Sequence, residues 1–307
     1  MNITSLSALA AEAKKRPRRA ALSVVCPYDA HTLGAVLRAS REGVVRARLF
    51  GEPEKINAAF EALGEDPGGL ETVRADSNAE ALAAAVAGVR GDRGIIMKGL
   101  LDTSDFLRAV LSKESGLRGK SGGLLSAFGI FEAPSYHKLF AVTDFAMNIA
   151  PDLSAKRAIL ENAAAFLRSV GVDKPKIAAL SEAEHVNPKI PASSDAAELK
   201  RLNEAGEITD CVIDGPIAFD IATSREAAEI KGYSSPVAGD ADLLLAPEIV
   251  SGNILVKSLT GFGGARTAGV VLGADVPVVM TSRSAEEDDK YYSIILAALG
   301  AGAGAEK

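Results

Sequence analysis

The sequence has no tryptophan, two cysteines and three histidines among its 307 residues, and each scarcity removes a class of explanation. Cys26 and Cys211 stand in separate apolar runs with no CxxC and no histidine at metal spacing beside them, so neither a disulfide framework nor a zinc site organises the chain. Each reads as a small core residue, and the pair fits a reducing, cytoplasmic compartment. His31, His137 and His185 are far apart, no HExxH occurs, and all three read as structural. Long apolar runs are missing too. Lys14, Lys15, Arg16, Arg18 and Arg19 ahead of Ala20–Cys26 imitate a signal peptide, but Pro27 and Asp29 stop the apolar stretch well short of the roughly 18 residues a span needs. Leu6, Leu9, Ala10 and Ala13 mark instead an amphipathic helix leading into a first strand. Positive charge is also in deficit: a net charge of −6 argues against a general attraction to nucleic acid or an anionic membrane, so a phosphate-bearing ligand must be met by local cations.

What is present is a chain 48% hydrophobic, enough for about two domains, in which short β-rich runs alternate with helical patterns. The alternation predicts strands at Ala21–Val25, Arg46–Phe50, Gly94–Met97, Leu125–Phe131 and Lys138–Val142, with helices between them, and signals an α/β fold with a mainly parallel sheet. Pro151 disfavours helix at Ala150, so Asn148–Asp152 reads as a connection between two lobes. A second series follows: helix Ala155–Ser169, strand Lys176–Leu180, helix Ala196–Glu204, strand Cys211–Ile213, helix Ala222–Ile230, strand Leu243–Ala246 and helix Ile249–Leu259. Strands Gly269–Leu272 and Val276–Met280 and a last helix close the chain.

Reactive groups of such folds sit on loops past the carboxyl ends of strands, which directs attention to Lys98–Arg108, Ser235–Asp240 and Thr281–Asp289. In Thr281-Ser282-Arg283-Ser284-Ala285-Glu286-Glu287-Asp288-Asp289 a serine can cap the helix and the acidic residues complement its dipole, so capping alone accounts for most of the run. Arg283 is the exception: a cation at the positive end of a helix needs an anionic ligand to justify it. Thr103–Arg108 reads as another helix start, with Arg108 one turn in, and Lys98 ends the preceding strand. Gly116-Leu117-Arg118-Gly119-Lys120-Ser121 lacks the first P-loop glycine, which is Glu114, and Gly261-Phe262-Gly263-Gly264 is no GxGxxG; both read as turns. Asp214, Asp220, Asp240 and Asp242 are candidates for Mg²⁺, with loop polarity the alternative for the last two.

Taken together, Ile213-Asp214-Gly215-Pro216, the run Ser235–Asp242, Gly252-Asn253-Ile254 with Lys257-Ser258-Leu259, and Thr281-Ser282-Arg283 resemble the phosphate acetyl/butyryltransferase family. The resemblance extends upstream through Asp144–Asp152, Met97-Lys98-Gly99 and Thr103–Arg108, and Asn148–Asp152 and Asn187-Pro188-Lys189 are closer to the butyryltransferase branch. It implies an α/β, two-lobed fold of mainly parallel sheets like that of isocitrate and isopropylmalate dehydrogenases, with residues 1–147 and 268–307 in a first lobe carrying both termini, residues 148–267 in a second, and a homodimer or larger assembly. The implied reaction is short-chain acyl-CoA (butyryl or acetyl) plus phosphate giving acyl phosphate plus coenzyme A, by direct transfer in a ternary complex. Coenzyme A enters as substrate, with no tightly bound cofactor, no metal, and no nucleic-acid or membrane partner. A non-catalytic acyl-CoA or phosphate-binding protein and an acyl phosphate synthase using acyl carrier protein are the alternatives of similar fold.

By the same resemblance Ser282 and Arg283 match the family's Ser-Arg pair, Asp289 its general base and Arg108 an arginine that binds coenzyme A. Lys98, Thr103, Ser104, Asn253 and Lys257 lie in the shared motifs as substrate-binding positions. Asp288 rivals Asp289, since a one-residue shift moves the carboxylate to another side of the helix. Proton transfer from a thiol of pKa about 8.5 to a carboxylate of pKa about 3.9 is uphill by roughly 6 kcal/mol unless the site narrows the gap.

Overall fold

The computed structural model describes residues 4–92, 94–115, 117–118, 124–282 and 285–301. Two compact units emerge, an inner one running from Leu124 to Thr267 and a terminal one built from the segments that begin at Leu6 and at Ala268. The terminal unit holds α1 (Leu6–Lys14), β1 (Ala20–Val25), α2 (Ala30–Arg41), β2 (Val45–Gly51), α3 (Pro53–Leu63), β3 (Glu71–Arg74), α4 (Asn78–Asp92), β4 (Ile95–Lys98) and α5 (Thr103–Leu111). The inner unit holds β5 (Ser126–Glu132), β6 (Phe140–Thr143), α6 (Leu153–Ser169), β7 (Lys176–Leu180), α7 (Pro191–Glu204), β8 (Val212–Ile217), α8 (Phe219–Thr223), α9 (Arg225–Ile230), β9 (Leu243–Leu245) and α10 (Ile249–Gly261). The chain ends with β10 (Arg266–Leu272), β11 (Val278–Val279) and α11 (Glu287–Ala301).

In the terminal unit the strands run β3-β2-β1-β4-β11-β10, all parallel except the β10–β11 pair. Burial explains the order. β4 is buried at every position and most of β1 is too, as a parallel strand covered by helices on both faces requires, whereas β3 has no buried residue and lies at the edge. Its polar pattern, Glu71-Thr72-Val73-Arg74, carries no apolar alternation by which a strand is recognised in sequence. Leu6, Leu9, Ala10 and Ala13 of α1 are buried, as their spacing predicts.

The inner sheet runs β5-β6-β9-β7-β8, parallel except for the β5–β6 hairpin, and its core includes Phe131, Phe140, Val142, Leu244 and Ile217. The first break falls at Leu124, ahead of the boundary expected near Asn148, because β6 already pairs with β9; Asn148–Pro151 is a connection within this unit. The expected helix Ala222–Ile230 is two helices, since Ser224 leaves helical geometry and caps α9 by accepting from Ala227 N. β8 continues past Ile213 through Gly215 and Pro216, where a side chain on Gly215 would come within 2.8 Å of Ala179 Cβ. Of the Gly116–Ser121 turn only Leu117 and Arg118 are described, and Arg118 bridges to Ala274. Among the described residues no helix is long and apolar enough to cross a membrane.

Candidate functional site

Register places several predicted residues at one edge of the terminal sheet. Val25 of β1 lies level with Lys98 of β4, and Val279 of β11 with Met97, so Cys26–Tyr28, Lys98–Leu101 and Thr281–Ser282 all leave the carboxyl edge of three neighbouring parallel strands. The edge is tightly knit: Gly99 N donates to Val25 O at 2.8 Å and Leu100 N to Cys26 O at 2.7 Å. Lys98 is buried and directs Nζ to the carbonyls of Gly99 (3.2 Å) and Leu101 (3.0 Å).

α5 begins on the same edge. Asp102 caps it by accepting from Ser104 N (2.8 Å) and Asp105 N (3.3 Å), and Ser104 Oγ also donates to Asp102. Thr103 and Ser104 are exposed. Arg108 projects into solvent with its guanidinium on Asp105 at 2.8 Å, an exposed pair that costs about 1 kcal/mol or less to give up for a ligand.

Ser282 lies two residues beyond Met280; it is exposed, and its carbonyl accepts from Ala285 N at 3.1 Å. Arg283 lies outside the described residues. Asp289 is half-buried in the first turn of α11. That helix is firmly anchored, with Tyr291, Ile294, Ile295, Leu296 and Leu299 buried, each contributing roughly 1.5–3 kcal/mol relative to exposure. Ser293 Oγ donates to Asp289 O at 2.6 Å and accepts from Gly269 N at 2.9 Å, tying the first turn to β10.

The rival Asp288 faces elsewhere. Its carboxylate accepts from Arg38 Nη1 of α2 at 2.7 Å, and that guanidinium lies 3.7 Å from the centre of the Tyr291 ring. The Tyr291 hydroxyl donates to Glu42, which also meets Lys14. Burial alone would raise the Glu42 carboxyl; the bonds from Tyr291 and Lys14, and the charge of Arg38, outweigh it and hold the group below the usual range. Since successive helical residues point about 100° apart, the Arg38–Asp288 clamp turns Asp289 away from α2.

Asn253 and Lys257 belong to the inner unit, exposed on α10. Lys257 lies one turn further along that helix than Asn253, which stands in its first turns near the carboxyl edge of the sheet, where Asp144 follows β6. Its buried carboxylate accepts from the backbone of Ala127, Ala146, Met147 and Asn148 and from Asn148 Nδ2, at distances from 2.5 to 3.1 Å. Asn253 Nδ2 donates to Phe145 O (3.3 Å), and Gly252 lets α10 approach, since a Cβ there would stand 2.7 Å from Asp144 O.

The Mg²⁺ candidates are engaged with cations. Asp240 accepts from Lys176, Lys138 and His137, Asp242 from Lys138, Asp214 from Lys200 and Tyr233, and Asp220 pairs with Lys231. Among the described residues no group of three or more His, Cys, Asp or Glu is gathered for a metal. An open pocket of about 340 Å³ beside Asp240 lies at the amino ends of β7 and β9, the opposite edge from Asp144, and its charges largely satisfy one another. The Asp144 hub, the Arg38 clamp and the buried Lys290 were not singled out from sequence. Only Lys290 carried a usable signal, a cation near the amino end of a helix, the same anomaly that drew attention to Arg283.

A model of the phosphate acetyl/butaryl transferase family matches residues 77–298. The phosphate butyryltransferase of Clostridium acetobutylicum is 39% identical over 282 residues, 92% of this chain and 93% of that protein. The phosphate acetyltransferase of Thermotoga maritima is 36% identical over 278 residues, 91% and 94% of the two chains. The crystal structure of a branched-chain phosphotransacylase from Enterococcus faecalis V583 superposes with a TM-score of 0.81 at 34% identity, covering 92% of this chain and 99% of that one. A 4-hydroxythreonine-4-phosphate dehydrogenase from Klebsiella pneumoniae, 13% identical with a TM-score of 0.54 over 92% of this chain and 100% of its own, shares the fold.

Proposed function

This chain belongs to the phosphate acetyl/butaryl transferase family and is a phosphate acyltransferase, and we propose that it exchanges a butyryl or acetyl group directly between coenzyme A and phosphate through Ser282, Arg283 and Asp289. The observation that carries the residue assignment is the arrangement at the terminal sheet: Ser282 leaves β11 beside Lys98, and Asp289 stands in the first turn of a helix pinned to β10.

In the direction that consumes acyl phosphate, Asp289 takes the proton of the coenzyme A thiol and the thiolate attacks the carbonyl carbon. Ser282 hydrogen-bonds the developing oxyanion, and Arg283 grips the phosphate in bidentate fashion. The carbon–oxygen bond to phosphate then breaks, leaving thioester and inorganic phosphate. Arg108, with only an exposed pair to surrender, suits the phosphates of coenzyme A, and Lys98, Thr103, Ser104, Asn253 and Lys257 serve as substrate-binding positions.

The same reading includes a homodimer and a cytoplasmic setting. Val250 and Ile254 of α10 are each 60% exposed and Phe262 is 96% exposed, an apolar surface suited to a second copy; sedimentation velocity at micromolar protein tests it. Cys26 and Cys211 are both buried and unpaired, as a reducing compartment favours. The decisive assay is thiol release from acetyl-, propionyl- and butyryl-CoA with and without phosphate. Phosphate-dependent release is expected, release without phosphate would make the protein a thioesterase, and no release would reduce it to a binding protein.

A further inference from the structure

Among the described residues three lysines are buried, and their surroundings differ. Lys156 meets the carboxylate of Asp195 at 2.6 Å, and Lys98 meets the carbonyls of Gly99 and Leu101. Lys290, 5% exposed and adjacent to Asp289, has Thr281 Oγ1 as its one acceptor among the described residues, at 3.4 Å, a long contact to a neutral hydroxyl. An ammonium carries three donors, so two remain to be satisfied.

The position makes this costly twice over. A cation taken out of water without a counter-charge is strongly unfavourable, and near the amino end of α11 the helix dipole opposes it further. An apolar side chain of the same length would remove both costs. The partner that offsets them is an anion, and the direction of the side chain says where that anion sits. Thr281 precedes Ser282, and β11 beneath it pairs with β4, whose last residue is the buried Lys98. Lys98 thus ends the strand beside the one from which Ser282 departs, and Lys290 contacts the residue just before Ser282.

We propose that Lys290 is a substrate-binding residue whose ammonium takes a phosphate oxyanion, that of inorganic phosphate or of the acyl phosphate, beside Ser282. This rests on the acyltransferase reading and adds a second cation to the phosphate subsite assigned to Arg283. It places Lys290 on the small phosphate and not on the phosphates of coenzyme A, because its one contact is with the residue next to the reacting serine. In the reaction the ammonium holds attacking phosphate in one direction and the departing phosphate in the other, with no proton exchanged.

The test compares wild type with Lys290→Met, Lys290→Gln and Lys290→Arg. The expected result for Lys290→Met is a KM for phosphate raised by about ten- to a hundredfold, the loss of one charged hydrogen bond, with the KM for acyl-CoA unchanged. Its melting temperature in the absence of ligand should match or exceed that of wild type, since a buried charge has been replaced by a similar apolar chain. Lys290→Arg should recover part of the phosphate affinity. A second readout needs no turnover: inorganic phosphate should raise the melting temperature of wild type, and the concentration required should increase in Lys290→Met, while protection by coenzyme A alone is unchanged. Unaltered phosphate dependence in either readout overturns the proposal, as does a loss confined to coenzyme A. So does failure of both Lys290→Met and Lys290→Gln to fold, which would make the lysine structural. Wild-type protein that releases no thiol with phosphate would sink the acyltransferase reading itself, a different outcome from wild type and variant sharing one phosphate dependence.

Discussion

Replacing Gly99 with alanine should damage stability and catalysis together. A Cβ at Gly99 would lie 2.3 Å from Cys26 O, 2.7 Å from Val25 O and 2.8 Å from Cys26 C, all backbone atoms that cannot rotate aside. Carbon atoms rest about 3.5 Å from their neighbours, so the ends of β1 and β4 must part by on the order of 1 Å. Overpacking of this kind costs about 1–3 kcal/mol. Stretching the bonds from Gly99 N to Val25 O and from Leu100 N to Cys26 O adds about 1 kcal/mol. A total near 3 kcal/mol lowers the melting temperature of a unit this size by about 6–12 °C. The shift also carries Lys98, bonded to the carbonyls of Gly99 and Leu101, out of place, and an error of about 1 Å in a site can reduce turnover by about a hundredfold. Differential scanning calorimetry and the thiol-release assay read the two effects. Gly91→Ala in α4 is the control: nothing lies within 4 Å of the added carbon, so it should be neutral or stabilise by up to about 1 kcal/mol. A Gly99→Ala protein melting within about 2 °C of wild type, at full activity, would refute the steric argument.

Asp289→Asn should reduce turnover by about 10²–10⁴-fold with both KM values little changed, whereas Asp288→Asn gives up only a largely exposed pair with Arg38 and should keep its turnover; the reverse pattern would exchange the two roles. Burial alone would raise Asp240, but bonds from Lys176, Lys138 and His137 outweigh it and hold the carboxyl well below the usual range. A depressed folded-state value gives stability that is present at neutral pH and lost as pH falls below about 4, so Asp240→Asn should flatten the acid limb of melting temperature against pH. Superimposable acid limbs would show that Asp240 contributes nothing there. Burial pushes the Cys26 thiol up and that of Cys211 to about 11, so a thiol reagent at neutral pH should modify neither in the native protein and both after denaturation; fast native labelling of either would contradict their burial.

What the sequence could and could not disclose follows from the range of the forces involved. Alternation of apolar runs is local, so the order of strands and helices was legible, as was the edge where Lys98 and Ser282 emerge. β3 was not, because an edge strand without a buried face carries no apolar pattern, and the split between α8 and α9 turned on one capping serine. Asp144 and Gly252 were visible as parts of motifs, but their work depends on contacts with residues far along the chain: the carboxylate holds a turn, and the missing side chain lets α10 close on it. The choice between Asp288 and Asp289 is the sharpest case. The two are identical in type and adjacent, so no local rule separates them. What sets the two apart is Arg38, on a helix some 250 positions away in sequence, which pairs with Asp288. On the proposed assignment of the base to Asp289, a substitution of Arg38 that frees Asp288 should weaken the distinction between the two carboxylates without touching either.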